Sequence, residues 1–550
     1  MKVSEYLLHF IKNAGISRVF GVPGRENAHI LFNEVDDIDF VTGRVEFNAG
    51  VAAEFSGRCT LRPQVVFCTM GPGATNMVTA AASAHLNHSP LLIVSAQLER
   101  DDRHYNVTHQ CVDQRAIFAP VTKLSLELEN PEDLPDVLQH AFSVMMIDPP
   151  GPVHLSIPAD IYSMTHPRLV ADGFPEVPTR LLWPRSNLSA SSVRTVIEYL
   201  RKAERPICLI GHEVIRAGAE RALVEFCKRW NILMMASANA KGFLSMTDPL
   251  YIGSASPYME GILNYPTALD DVFNDVDLIL NFGYQYVDDI LPKMWCRGKP
   301  KNVIHISAHS AEMIKEKYRF DFEVTSNVLD SLQQLGEYAA TPKQHFPADK
   351  LKTTIQSHRR RRSSYGRLSP IEVVEAVNKN IGGGKFITDI GYYRHHAILF
   401  SEPTSTGQFF TDAGLSSFGT GLASAIGAQF VDPDNSVFLI AGDGGFHSGS
   451  CDLETVARHT LPIVMLILNN NAFGLIERYQ QRGGNGANEA ILKFGSVDFP
   501  ALAKANGVAG ARASSFEELD SAIAGRDRSK PILIEVPLEY AEGDEFRESF

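Results

Sequence analysis

Cysteine is sparse and scattered: seven residues, at 59, 68, 111, 208, 227, 296 and 451, with no Cys-x-x-Cys pair among them. That excludes a disulfide framework and a thiolate zinc site, and it fits a reducing compartment. Positive charge is in deficit. With 51 Lys and Arg against 64 Asp and Glu, the formal charge is −13, so neither nucleic acid nor an anionic membrane is expected as a partner. The basic run Arg359–Arg362 sits in a polar stretch and reads as a solvated linker. No apolar run reaches membrane-spanning length, and Met1-Lys2-Val3-Ser4-Glu5 lacks the apolar core of a secretion signal. A cytoplasmic protein with no membrane partner is therefore expected. Also missing is a complete dinucleotide glycine fingerprint: Gly211-His212-Glu213 follows a strand-like run, but the remaining glycines are absent.

What is present is a long chain of 550 residues, 44% hydrophobic, enough for several cores. Strand-like apolar runs alternate with helix-periodic stretches in three blocks. The pattern predicts an α/β chain of three doubly wound parallel-sheet domains, at 1–165, 190–340 and 368–540. In the first, strands at Arg18–Val22, Asp39–Val41, Gln64–Cys68 and Pro90–Ala96 alternate with helices at Val3–Ala14, Ala49–Gly57 and Met77–Ala84. The second opens with Pro206–Gly211. Residues 166–190 and Thr341–Arg367 read as polar linkers, and the acidic tail after Pro537 as poorly ordered.

The third block holds the most informative stretch. Val437–Ala441 reads as a strand and ends in Gly442-Asp443-Gly444-Gly445-Phe446. After a helical stretch, Ile463–Leu468 reads as a second strand and ends in Asn469-Asn470-Asn471-Ala472-Phe473-Gly474. Both polar clusters thus sit at the carboxyl ends of strands, where ligands bind in open α/β sheets. The glycines bring backbone N–H groups close to an anion. The Asp443 carboxylate, the Asn470 amide and the Ala472 carbonyl are hard oxygen donors that, with phosphate oxygens, suit Mg2+. A magnesium-diphosphate site is expected.

These two clusters together resemble the thiamine diphosphate motif of the acetohydroxyacid synthase/pyruvate oxidase superfamily. Phe20–Gly24, Gly71–Asn76 and Gly414–Gly427 are similar to further blocks of that superfamily, in the expected order. The resemblance implies a thiamine diphosphate-binding fold, with thiamine diphosphate and Mg2+ as cofactors. It makes Glu46 the catalytic carboxyl. Hydrogen-bonded to the aminopyrimidine ring, such a group favours the tautomer that activates the cofactor. The superfamily's Arg-His-Glu reads Arg44-Val45-Glu46 here, so the surroundings of that carboxyl differ. Val22, Gly71, Gly391, Arg394, Phe418, Gly444, Gly445, Phe446, Gly474 and Leu475 fall at cofactor-binding places, Phe418 as the apolar wedge.

Within the superfamily, Thr108–Cys111, Arg394-His395, Gly444–His447 and Gly474–Glu477 resemble the N2-(2-carboxyethyl)arginine synthases. That resemblance implies transfer of a three-carbon unit from glyceraldehyde 3-phosphate to the amine of arginine or a similar amino acid. His109, Gln110 and His395 join Glu46 as catalytic candidates, with His395 an acid or base. Tyr258 and Asp289 become substrate-binding candidates. The alternative is an acetolactate synthase-like enzyme that decarboxylates a 2-oxo acid and ligates the product to a second carbonyl. Either way the resemblance implies small-molecule substrates and a homodimer or homotetramer.

Overall fold

A computed structural model describes the chain apart from residues 32–36, 105–108, 171–172, 184–185, 286–291, 311–319, 344–348, 361–366, 483–487 and 539–550. The described strands form three six-stranded sheets. The first contains β1 (Arg18–Gly21), β2 (Asp39–Thr42), β3 (Gln64–Cys68), β4 (Leu91–Gln97), β5 (Leu124–Glu127) and β6 (Val153–Pro158), in the order β2-β1-β3-β4-β6-β5. The second contains β7 (Pro206–Ile210), β8 (Leu233–Ala236), β9 (Tyr251–Ser254), β10 (Leu278–Phe282), β11 (Asn302–Ser307) and β12 (Phe322–Thr325), ordered β12-β11-β10-β7-β8-β9. The third contains β13 (Lys385–Thr388), β14 (Phe409–Thr411), β15 (Val437–Gly442), β16 (Val464–Asn469), β17 (Ala509–Arg512) and β18 (Ile532–Pro537), ordered β14-β13-β15-β16-β18-β17. Neighbouring strands are parallel in all three.

Parallel strands joined by crossover helices are covered on both faces, which demands apolar runs rather than alternation. β4 and β6 obey this and are buried at every position, while the edge strands β2 and β5 are only partly covered. The α/β fold class expected from the sequence is the fold observed. In each sheet the chain starts in the middle and builds outward to both sides, so the order reverses between β1 and β3, β7 and β10, and β13 and β15. The carboxyl ends flanking such a reversal form a crevice that ligands use.

The chain forms two compact units. One is built from Met1–Leu182, Gly414–Asp434 and Ser448–Leu461, the other from Trp183–Ala413, Asn435–His447 and Pro462–Phe550. The first sheet belongs to the first unit. The second and third sheets belong to the second, where a single apolar core runs through both. Two stretches after Gly414 therefore pack with the first sheet, although they lie far along the chain.

The helix Glu46–Thr60 shows why. It is lined with Ala49, Gly50, Ala52, Ala53 and Gly57, all buried. A Cβ on Gly50 would lie 2.6 Å from the Ala80 Cβ, and one on Gly427, in the helix Gly421–Val431, only 2.2 Å from the Ala52 carbonyl oxygen. Small residues let three helices close on one another, and Glu46 stands at the exposed start of the assembly.

The linker reading of 341–367 needs correction. It contains the helix Asp349–Arg359, whose Leu351 and Ile355 enter the core. Arg359 is not solvated: it pairs with Glu402, and with Glu375 at 3.0 Å. The tail from 539 onward lies outside the described residues. Among the described residues no helix is long and apolar enough to cross a membrane.

Candidate functional site

Each unit carries one cluster. In the first, the candidates gather at strand ends around the β1/β3 reversal. Val22 follows β1, Glu46 follows β2, Gly71 follows β3, and the His109-Gln110 turn follows β4. Glu46 is half-buried, and its Oε2 accepts a hydrogen bond from Asn76 Nδ2 at 3.1 Å. A Cβ on Gly73 would stand 3.3 Å from Glu46 Oε1, so the glycine keeps that oxygen uncovered. The thiol of Cys68 also faces Glu46, and burial pushes it well above its ordinary range. Gly71 needs to be glycine: its φ is +58°, and a Cβ would lie 2.7 Å from that of Gln110. Gln110 itself has φ +55°, and both it and His109 are exposed. Phe418 belongs to the same unit and is 53% exposed, unusual for a phenylalanine and unlike a core aromatic.

In the second unit the two halves of the glycine/asparagine motif stand at the neighbouring ends of β15 and β16, beside the β13/β15 reversal. Asp443 opens the helix Asp443–Gly449. Asp443 Oδ1 accepts from the Gly444 N–H at 2.9 Å. The amides of Asn470, Asn471 and Ala472 also face the carboxylate and pull its pKa down. Burial outweighs them and lifts it to about 6. Asp443 Oδ2 is buried and makes no hydrogen bond among the described residues. A buried carboxylate beside the 470–472 backbone, with one oxygen unspent, is a fitting donor for a hard dication.

Neighbouring residues shape this cluster. Asn469 Nδ2 donates to Glu535 at 2.8 Å while its Oδ1 accepts from the Asn471 N–H at 3.1 Å. This holds Asn471 at φ +52° and aims the 470–472 backbone. The Ala472 carbonyl accepts from the Gly474 N–H at 2.9 Å, which still leaves a lone pair. Gly474 opens the helix Gly474–Arg482, and Leu475 packs against the core. Gly444 faces the rings of Phe473 and Phe494, 3.0 and 3.2 Å from where a Cβ would be. Gly445 and Phe446 are buried, and the Phe446 ring packs edge-on against Phe499 at 6.0 Å, so only its backbone faces outward chemistry.

Tyr393, which no sequence motif marks, also shapes this site. Its hydroxyl accepts from the Gly442 N–H at 2.8 Å and donates to the Ile390 carbonyl at 3.2 Å, tying together the two strand ends that flank the reversal. Gly391 sits under the same ring, which leaves no room for a Cβ. The only signal in the sequence was an aromatic next to Arg394-His395, which ordinary core packing would also explain.

Arg394 and His395 do not hang free in a loop. Both are buried in the helix Tyr392–Phe400. Arg394 donates to the Asp412 carbonyl at 2.7 Å. His395 Nδ1 lies 2.8 Å from Ser256 Oγ, and the Tyr258 ring meets the imidazole edge-on at 4.4 Å. Burial, then the charge of Arg394, holds the His395 pKa well below its ordinary value. The imidazole is neutral near pH 7, so it offers a donor and an acceptor but not a stored proton. Tyr258 and His395 are thus brought together, while Asp289 lies outside the described residues.

Residues 1–117 match the N-terminal TPP binding domain of thiamine pyrophosphate enzymes, 193–335 their central domain, and 389–536 their C-terminal TPP binding domain. The chain is 26% identical over 554 residues to the acetolactate synthase of Bacillus subtilis (strain 168), covering 98% of this chain and 93% of that protein. It is 26% identical to the acetolactate synthase isozyme 3 large subunit of Escherichia coli (strain K12), with 95% and 91% covered. A probable acetolactate synthase large subunit of Methanocaldococcus jannaschii is 24% identical, with 98% and 93% covered. With all three domains present in order, the chain belongs to the thiamine pyrophosphate-dependent enzymes.

Proposed function

We propose that Asp443, the Asn470 amide and the Ala472 carbonyl hold Mg2+ and, through it, the diphosphate of thiamine diphosphate, and that Glu46 is the catalytic carboxyl. The unpartnered, buried Asp443 Oδ2 supports the metal assignment. When bound, the cofactor supplies a nucleophilic carbon and an electron sink for the carbanion that follows. Glu46 presents Oε1 to hold or pass a proton, its Oε2 being fixed by Asn76. Gly71 and Gly73 keep side chains away from that oxygen and from Gln110.

For the reaction, the relatives favour acetolactate synthase-like chemistry. A 2-oxo acid is decarboxylated and its carbon unit joined to a second carbonyl, in a cytoplasmic homodimer or homotetramer. The observation that carries this is similarity along nearly the whole length of such synthases. A second reading, transfer of a three-carbon unit from glyceraldehyde 3-phosphate to the amine of arginine or a similar amino acid, is favoured by the buried Ser256–His395–Tyr258 cluster. There a neutral imidazole offers a hydrogen-bond acceptor to an incoming ammonium group.

One experiment separates them. The purified protein, loaded with thiamine diphosphate and Mg2+, is given pyruvate, then glyceraldehyde 3-phosphate with a panel of amino acids. Carbon dioxide released from pyruvate, without phosphate from the triose, supports the first. Phosphate released only when an amino acid is present supports the second and removes the first.

A further inference from the structure

The segment just beyond the glycine motif carries an acid that none of the chemistry so far uses. Asp452 is buried at 1% exposure, in the first unit, and its carboxylate grips the chain on both sides of Glu46. Oδ1 accepts from the Arg44 N–H at 3.0 Å and from Thr455 Oγ1 at 2.7 Å. Oδ2 accepts from Asn48 Nδ2 at 2.5 Å. Arg44 and Asn48 lie two residues before and two after Glu46. The Asn48 amide also donates to the Gly449 carbonyl at 3.2 Å, which fixes its orientation: with the amide turned over, its oxygen would face a carboxylate and a carbonyl.

Two further ties reach the same stretch. Arg458 donates to the Thr42 carbonyl at 2.6 Å, and Glu454 faces the Arg44 guanidinium at 3.7 Å. By contrast, the helix that begins at Glu46 has Val45 before it, with no side-chain cap of its own. Its first turn is set from outside, by residues 449–458.

We infer that Asp452 is a positioning residue for Glu46: it fixes the backbone on either side of the carboxyl and thereby sets the reach of Glu46 Oε1. The inference rests on the assignment of Glu46 as the catalytic carboxyl. Its geometry is specific. Asp452→Asn conserves shape, but it turns one acceptor into a donor facing either the Arg44 N–H or the Asn48 amide, so one of the two grips is lost.

The test uses the full-length protein loaded with thiamine diphosphate and Mg2+. It reads the rate at which the cofactor's C2 proton exchanges with deuterium, by quenched proton NMR, together with cofactor affinity. Asp452→Asn and Asn48→Ala should each slow exchange about tenfold or more, since a displacement of an ångström costs on that scale, while cofactor affinity changes far less. In Glu46→Gln, exchange should already be slow, and adding Asp452→Asn should slow it no further, because both act through one group. Wild-type exchange in both Asp452→Asn and Asn48→Ala overturns the inference, as does an equal extra loss on the Glu46→Gln background. If Asp452→Asn fails to fold, Asn48→Ala decides alone. Normal exchange in Glu46→Gln itself would instead remove the role given to Glu46.

Discussion

The second and third sheets of the larger unit share architecture and differ at the one place where function would be expected. Both are six-stranded and parallel, and both reverse strand order at a crevice. In the central sheet the crevice is shut. Gly211 lies so close to β10 that a Cβ would stand 2.0 Å from the Gly283 carbonyl oxygen. The fully buried Glu213 fills the remaining space, its carboxylate accepting from Ser307 Oγ at 2.5 Å and from the Ala308 N–H at 2.8 Å. In the C-terminal sheet the acid at the end of β15, on the other side of the reversal, is Asp443, which keeps one oxygen unspent. An acid whose bonds are all made within the protein is structural. An acid buried with a bond left over is prepared for a ligand, at a cost to the empty protein.

The largest test of this contrast is cofactor binding. Asp443→Ala should weaken retention of thiamine diphosphate with Mg2+ by more than about 100-fold, read by calorimetry, while Glu213→Ala leaves it unchanged. Comparable losses in both would break the comparison. Next come the glycines. Gly211→Ala drives a methyl group into backbone and should cost about 3 kcal/mol or more, seen as a melting temperature lowered by several degrees. Gly444→Ala meets only ring edges and should melt close to wild type.

The metal-free protein gives a test with a definite sign. Asp443 has a folded pKa of about 6, above its ordinary 3.8. Folding therefore favours its protonated form. That stability is complete below about pH 3.8 and is lost as the pH rises through 6. In chelator at pH 7.5, Asp443→Asn should be more stable than wild type by about 1–3 kcal/mol, and the gap should close toward pH 4. A variant less stable than wild type in chelator would contradict the burial cost. The smallest effect is expected for Glu213→Gln, which keeps the shape but weakens a charged acceptor. About 1 kcal/mol should be lost, with no change in cofactor affinity by titration.

Much of this was legible in the amino-acid order. Central strands such as β3 and β15 announce themselves because buried parallel strands must be runs such as Val65-Val66-Phe67 or Leu439-Ile440-Ala441, whereas half-covered edge strands such as β5, β12 and β17 carry no such run and were not foreseen. Asp443 and Asn470 are legible because each follows such a run directly. Less visible were residues whose importance comes from partners distant in the chain. Tyr393 looks like any core aromatic until Gly442 and Ile390 are placed around its hydroxyl. Asp452 lies in a short 3-10 turn, with no motif to mark it. His395 carries a chemistry-bearing side chain, but its protonation depends on burial that no local pattern reveals. Arg359 was hidden in a run of like charges, although it finds Glu375 and Glu402 across the fold.

The brace on Glu46 also bears on how the chain is made. Asp452 and Asn48 are 404 positions apart, and the unit that holds them is completed only by Ser448–Leu461. A ribosome releasing the first 182 residues has delivered a sheet but not the helices and turns that close over it. That part must wait, with the small-residue face of Glu46–Thr60 uncovered, until the segment 404 positions beyond Asn48 has emerged. Contacts of such long sequence separation are slow to form and leave apolar surface exposed meanwhile. The Glu46 carboxyl is therefore synthesised long before the groups that set it in place.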